Sequence, residues 1–326
     1  MRAVWYERHG PAADVLQLGD RPEPEPGPGE VRVRVRLSGV NPGDTKKRQG
    51  WLGSSMPFPL VIPHSDGSGV IDAVGPDVDH RRVGRRVWVY GAQSYRPFGT
   101  AAELTVVPAQ QAVDLPDGVS DQMGACLGIP GITAHRTVFA DGPVTGRTVL
   151  VHGVLGGVGS LAAQLASWGG ATVIGTVRRG ADVEWVDSST ASTVVALDVP
   201  DPASAVLTAA GGGVDRIIEV AFSDNVDLDA AVAKNDTVIA AYATREDRPD
   251  FPFWPMLFDN VTIRLVGSDD FSPDAKQQAA SDLTTAAADG ALSISVGAPL
   301  ALADAAQAHD AVDRGARQRV LLSIVD

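Results

Sequence analysis

The chain has 326 residues, about twice the usual single-domain length, so two domains are the starting expectation. Hydrophobic residues make up 44% and charged residues 21%, the mix of a core-forming globular protein, which excludes a disordered chain. The net charge of −13 argues against a nucleic-acid-binding surface, and it means that an anionic ligand must find local positive charge.

The opening Met1-Arg2-Ala3-Val4-Trp5 runs straight into a strand-like pattern and lacks the apolar core of a signal peptide. No apolar run approaches a membrane span, so a soluble, cytoplasmic protein with no membrane association is expected. Pro22 to Gly29 reads as a stiff surface turn. After it Val31, Val33, Val35 and Leu37 alternate with Arg32, Arg34 and Arg36, the period of a strand with one buried face. Further short strands are predicted over 69–74, 86–90 and 102–107, punctuated by Gly and Pro, which indicates a β-barrel-type domain. The single cysteine, Cys126, excludes an internal disulfide framework and a Cys-rich zinc site, and reads as a small buried hydrophobe.

Near Asp121 the pattern changes. Strands predicted over 148–152, 171–176, 194–197, 214–220, 237–241 and 261–266 alternate with Ala-rich helical stretches such as 161–168. That alternation indicates a parallel sheet wrapped by helices. Helices over 275–288 and 303–314 and a strand over 319–325 close the chain. The organisation expected is an α/β protein in which a doubly wound Rossmann domain, 122–266, is inserted into a β-rich domain, 1–121 and 267–326.

The most informative motif is Val149-Leu150-Val151-His152-Gly153 followed by Gly156-Gly157-Val158-Gly159. A strand feeds a glycine turn and the turn opens an apolar helix, which is the context of a dinucleotide site. Glycines let the backbone approach a pyrophosphate, and the helix N-terminus supplies free N–H donors and a positive dipole end. The spacing departs from G-x-G-x-x-G, because Val154 stands where that pattern has its first glycine. An NAD-binding fold places an acid at the tip of the second strand; here Arg178-Arg179 follow it. Arginine pairs with the 2′-phosphate of NADP, so NADPH is the expected cofactor.

With these residues in place the sequence resembles the zinc-free, ζ-crystallin-like NADPH:quinone oxidoreductases of the medium-chain dehydrogenase/reductase superfamily. The resemblance runs along almost the whole chain and is carried by Gly39-Val40-Asn41-Pro42-Gly43-Asp44-Thr45, by the run from Pro63 to Ile71, by Gly84-Arg85-Arg86-Val87, by Gly128 to Ala134 and by the glycine turn. It implies a GroES-like barrel domain beside the Rossmann domain, an active site in the cleft between them, and a homodimer built on the Rossmann edge strand near 261–266. It also implies roles by position. Asn41 and Thr133 would face the nicotinamide. The turn from Gly153 through Leu155, Gly156, Gly157 and Val158 to Gly159 would hold the pyrophosphate. Arg178, with Arg179, would lie near the 2′-phosphate. Asn225, Tyr242, Ala243, Thr244 and Arg319 would contact the cofactor.

The chain departs from that family in places. Lys46 stands where many members have tyrosine, and a lysine there either serves the polar cleft or points to solvent. The segment from Phe251 to Met256 is unusually aromatic; it lines the pocket, covers the dimer edge or forms a buried loop. Zinc members use Cys and His ligands, and neither Gly39 with its neighbours nor Ser65-Asp66 supplies that set, so no metal is expected. The leading reading is hydride transfer from NADPH to a quinone or similar conjugated carbonyl. The nearest rival is an enoyl reductase of 2-alkenals or polyketides, which needs a proton donor such as Lys46 or Tyr242. From a different class comes a non-enzymatic NADPH-binding protein.

Overall fold

A computed structural model describes residues 1–324; the end of the strand predicted over 319–325 therefore falls, at Val325, outside the described residues. Two units are present. The first holds residues 1–130, 276–288 and the segment from Ser293 onward; the second holds 131–275 and 289–292.

In the first unit, strands β1 (Arg2–Trp5) and β2 (Gln17–Asp20) form an antiparallel pair, with the short helix α1 (Ala12–Val15) between them. Strand β3 (Glu30–Gly39) anchors the larger sheet. Val31, Val33 and Val35 are buried, as the alternation predicts. The arginines between them face outward, where Arg32 and Arg34 both reach Asp72 at 2.9 Å and Arg36 reaches Asp121 at 3.0 Å. Helix α2 (Pro42–Gln49) follows. Its sequence has no apolar stripe, so local chemistry sets its limits: the Asn41 N–H donates to the Asp44 carboxylate at 2.8 Å, Pro42 opens it, and Gly50 at φ 73° ends it. Strands β4 (Asp66–Val74), β5 (Arg86–Val89), β6 (Leu104–Pro108) and β7 (Ala112–Asp114) complete this part of the sheet, and helix α3 (Asp121–Gly124) lies beyond them.

The second unit begins with helix α4 (Ile132–Phe139), then strand β8 (Thr148–Val151), helix α5 (Gly157–Trp168) and strand β9 (Thr172–Val177). Strand β10 (Thr193–Ala196), helix α6 (Pro202–Ala210), strand β11 (Val214–Glu219), helix α7 (Phe222–Val232), strand β12 (Ala233–Ala241), helix α8 (Phe253–Phe258) and strand β13 (Thr262–Leu265) follow. All six strands run parallel in the order β10-β9-β8-β11-β12-β13. Numbered within the sheet this is 3-2-1-4-5-6, the doubly wound order whose two halves diverge between β8 and β11. The strands are apolar because helices cover them: Leu150, Ile174, Ile217 and Ile239 are fully buried in one cluster.

Helix α9 (Pro273–Ala288) returns the chain to the first unit. There strands β14 (Leu300–Ala301) and β15 (Leu321–Ser323) flank helix α10 (Ala305–Asp313). β15 pairs antiparallel with β3, setting Leu321 opposite Gly39, so the last and first parts of the chain share one sheet.

The segment from Phe251 to Met256 is not a buried loop. Phe251, Phe253 and Trp254 are exposed, and only Met256 turns into the core.

Leu150 sits at the centre of the parallel sheet with no exposed surface. Leu150→Ala should lower unfolding stability by about 2–5 kcal/mol, the range for a truncated buried leucine. Urea denaturation monitored by circular dichroism would measure it; a loss below about 1 kcal/mol would mean that the site collapses onto the gap.

Candidate active site

In parallel α/β sheets ligands bind beyond the carboxyl ends of the strands, where the strand order reverses. At the end of β8 the chain turns at Gly153, whose φ of 64° suits glycine. Helix α5 then starts at Gly157, four residues earlier than its apolar stripe suggests, with Gly156 as an N-cap that offers no side chain. No acidic residue lies in its first turn, so nothing in the helix neutralises the positive end of its dipole. The N–H groups of Gly157, Val158 and Gly159 have no acceptor within the helix. A Cβ at Gly159 would come within 2.4 Å of the Gly153 carbonyl oxygen, so the turn closes only because both positions lack side chains. Leu155, half-buried, leads into this cradle. Val154, the departure from the usual glycine pattern, is buried, and its N–H donates to the Thr176 carbonyl at 3.1 Å. Its side chain packs on the bare face of Gly175 in β9.

Beyond β9, Arg178 and Arg179 are exposed and form no ion pair among the described residues. One acid does face this turn, supplied by the turn that follows β10. The Asp198 carboxylate accepts the Gly180 N–H at 2.9 and 3.1 Å.

Beneath the glycine turn lies a fully buried polar cluster. His152 Nε2 contacts Asp229 Oδ1 at 2.9 Å and Glu219 Oε2 at 3.6 Å, and its Nδ1 contacts Thr176 Oγ1 at 2.9 Å. Glu219, at the end of β11, also accepts the Ala221 N–H and the Asn225 Nδ2 hydrogens at 3.1 and 3.2 Å. Burial, opposed by His152 and reinforced by Asp229, pushes the Glu219 carboxyl up to about 7. Burial alone would lower the His152 imidazole, but its hydrogen bond to Asp229 and both carboxylate charges raise it. These three side chains could reach one metal ion, since their ligand atoms lie within 4.8 Å of one another. The imidazole–carboxylate hydrogen bond already accounts for their contact.

Tyr242 follows β12, half-buried, and its N–H donates to the Glu219 carbonyl at 3.0 Å. Burial and then the Glu219 charge raise its hydroxyl pKa, which keeps it protonated. The Ala243 carbonyl accepts the Phe222 N–H at 3.1 Å, and Thr244 Oγ1 accepts the Ser223 N–H at 3.3 Å. The structure thus brings the glycine turn, Arg178, Asn225 and the 242–244 segment to one end of the parallel sheet. Thr133 is buried in the first turn of α4.

In the first unit Asn41 is buried, and both ends of its amide are assigned. Oδ1 accepts from Arg319 at 2.9 Å and Nδ2 donates to Asp66 Oδ2 at 2.6 Å. Asp66 Oδ1 takes the Ile129 N–H at 2.8 Å. Among the described residues the buried Nε of Arg319 has no nitrogen or oxygen acceptor, and the Arg319 side chain lies beside the Cys126 thiol. Lys46 neither joins Asn41 nor points freely to solvent; its Nζ rests 4.6 Å from the centre of the Trp51 ring. Cys126 is fully buried, and burial pushes its thiol pKa up.

A family model for the alcohol dehydrogenase GroES-like domain matches residues 27–117, and a zinc-binding dehydrogenase model matches 157–285. The chain is similar to the quinone oxidoreductase of mouse (Mus musculus), 30% identical over 283 residues that cover 85% of this chain and 83% of the relative. The chain belongs to the medium-chain dehydrogenase/reductase family. Among solved structures, an NAD-dependent alcohol dehydrogenase superposes with a TM-score of 0.89 at 27% identity, covering 100% of both chains. A mycobacterial protein complexed with NADPH superposes at 0.84 and 27% identity, covering 99% of this chain and 100% of that one. The barrel-like first unit is therefore GroES-like and the second Rossmann-like. As a member of this family the protein is an NAD(P)-dependent oxidoreductase, and its bare glycine cradle fits a dinucleotide pyrophosphate.

Three groups of this medium-chain dehydrogenase/reductase family member escaped the sequence reading: His152 with Glu219 and Asp229, Asp66 behind Asn41, and Asp198 at the arginine turn. A signal existed for Glu219, an acid ending the otherwise apolar run Ile217-Ile218. An unfolded glutamate titrates near 4.5, so between there and about 7 the native state keeps a proton that the unfolded chain has lost. The raised His152 acts in the same direction. Stability should therefore fall as pH rises from 4.5 to about 7, and Glu219→Gln should flatten that fall. Urea midpoints across this range would show it; parallel profiles for the two proteins would refute it.

Proposed function

We propose that this protein is a metal-free, NADPH-dependent reductase of quinones or similar conjugated carbonyl acceptors. The observation that carries the reading is the mouse quinone oxidoreductase match over 85% of the chain, with a bare glycine cradle and two unpaired arginines at the expected positions. In it, Gly153, Leu155, Gly156, Gly157, Val158 and Gly159 receive the pyrophosphate at the amino end of α5. Arg178, assisted by Arg179, takes the 2′-phosphate. Asn225, Tyr242, Ala243 and Thr244 line the nicotinamide half from the Rossmann-like unit, with Thr133. Asn41 and Arg319 serve it from the GroES-like unit. The bound cofactor supplies a hydride; the protein orients the acceptor and excludes water. The acceptor gains that hydride and one proton. The metal-free reading is supported by Asp66, whose carboxylate is engaged with Asn41 and the Ile129 N–H.

A second reading, enoyl reduction, would use Tyr242 as the donor of the proton that follows hydride addition to a carbon–carbon double bond; burial raises its hydroxyl pKa and makes it a weaker acid than a free tyrosine.

The test is cofactor oxidation in the presence of chelator, with quinone and enone panels, alongside dissociation constants for NADPH and NADH. A guanidinium beside the 2′-phosphate is worth about 1.5–3 kcal/mol, or roughly one to two decades of affinity. Arg178→Ala should weaken NADPH by that factor and leave NADH nearly unchanged. Equal affinity of the wild type for both cofactors would sink the cofactor assignment, and turnover of enones alone would select the second reading.

We also propose a homodimer paired through β13. Among the described residues that strand ends the parallel sheet with one edge unpaired; it carries Leu265, 79% exposed, and Phe258, 75% exposed, stands before it. Trp254 stacks on Phe258 with ring centres 6.2 Å apart, extending the apolar surface. Leu265→Glu should shift the mass measured by light scattering from dimer to monomer; an unchanged mass would exclude this edge.

A further inference from the structure

Away from the proposed contacts, the GroES-like unit contains a continuous run of buried side chains joined by hydrogen bonds. Arg48 Nε lies 3.3 Å from His309 Nδ1, and His309 Nε2 lies 2.9 Å from His64 Nε2. His64 Nδ1 lies 2.8 Å from Ser38 Oγ, Ser38 Oγ lies 2.7 Å from Thr100 Oγ1, and Thr100 Oγ1 lies 2.6 Å from the Asp66 carbonyl oxygen. Every one of these side chains is at most 1% exposed.

The two ends fix every proton between them. A carbonyl oxygen only accepts, so Thr100 donates to Asp66 and accepts from Ser38. Ser38, its own hydrogen spent, must accept from His64 Nδ1–H. A neutral His64 then accepts at Nε2, which requires His309 to donate from Nε2–H. His309 Nδ1 is left as an acceptor, and its partner Arg48 is a donor only. The order derived from the carbonyl end thus agrees with the order required at the guanidinium end. Arg48 is itself fixed, by the Gly10 carbonyl and by Asp313 at 3.0 Å.

His64 holds a backbone φ of 76°, in the left-handed region that non-glycine residues rarely occupy, although it is fully buried. Such strain persists only where the surroundings over-determine it. Here they do: the imidazole is bonded at both nitrogens and stacks on His309 with ring centres 5.1 Å apart. Asp66, where the run ends, is the residue whose carboxylate orients the Asn41 amide.

We propose that His64 and His309 are positioning residues for Asn41, two neutral imidazoles of opposite tautomer that carry the donor order of Arg48 to Asp66. The proposal rests on the reading that Asn41 serves the nicotinamide. His64 carries its hydrogen on Nδ1 and His309 on Nε2. Breaking the run removes the hydrogen bond that the Asp66 carbonyl accepts, and the Asn41 amide loses its set position while the glycine cradle of the Rossmann-like unit keeps its own contacts.

The experiment uses the full chain labelled with nitrogen-15 histidine. Imidazole shifts at neutral pH, assigned with His64→Gly and His309→Leu, should show one Nδ1–H and one Nε2–H neutral ring. Two rings of the same tautomer, or a charged ring, would overturn the proposal. In kinetics, His309→Leu should cut kcat roughly ten- to a hundredfold, the scale of a small misplacement in a catalytic site. Its NADPH dissociation constant should stay close to wild type. His309→Gln, whose amide can accept from Arg48 and donate to His64, should restore most of the loss. Unchanged kcat in a folded His309→Leu protein overturns the proposal if Asn41→Ala impairs turnover. If Asn41→Ala is also silent, the reading of Asn41 fails as well.

Discussion

The amino end of α5 is the constraint around which the Rossmann-like unit is arranged. Its first-turn N–H groups have no helical partners, its N-cap is glycine, and no acid stands in its first turn. A terminus left bare in this way favours an anion. The local sequence serves that exposure. Gly153 takes a left-handed conformation, Gly159 allows the carbonyl of Gly153 to come close, and Val154 fills the space above Gly175. The strand order puts the ends of β9, β11 and β12 beside this terminus, which is why residues far apart in the chain converge there.

Each unit also buries a polar network that a simple apolar core would avoid. In the Rossmann-like unit it is His152 with Asp229 and Glu219; in the GroES-like unit it runs from Arg48 to Asp66 and, through the Asp66 carboxylate, to Asn41. An unsatisfied buried polar group costs about 1–3 kcal/mol, so such networks survive only when nearly every member is paired. The exceptions are informative. Among the described residues Asp229 Oδ2 and Arg319 Nε are buried without a hydrogen-bond partner, and Arg319 is bonded to Asn41.

Much of the fold was legible because it rests on periodicity. The alternation from Val31 to Leu37 gave β3 and its buried face, and the strand–helix rhythm after Asp121 gave the parallel sheet. Helix α2 was not legible, since Pro42 to Gln49 is polar and its limits depend on Asn41, Asp44 and Gly50. The glycine turn was legible because its chemistry is local. The buried networks were not, because they join residues as distant as His64 and His309, and sequence spacing carries no record of such pairs. Asp198 was missed for the same reason: it faces the arginine turn from the turn after β10. Lys46 was left with two alternatives, and the structure gives a third, a contact with the ring of Trp51, five residues further on.

The central claim is that the bare terminus of α5, closed by Gly153 and Gly159, is where a dinucleotide binds. Calorimetric titration of NADPH into the wild-type protein and into Gly159→Val tests it most directly, with circular dichroism confirming that both remain folded. Any Cβ at position 159 forces the turn open, because it would stand 2.4 Å from the Gly153 carbonyl oxygen. The account predicts saturable binding to the wild type and its loss in the variant. A folded Gly159→Val protein that bound NADPH as tightly as the wild type would contradict it.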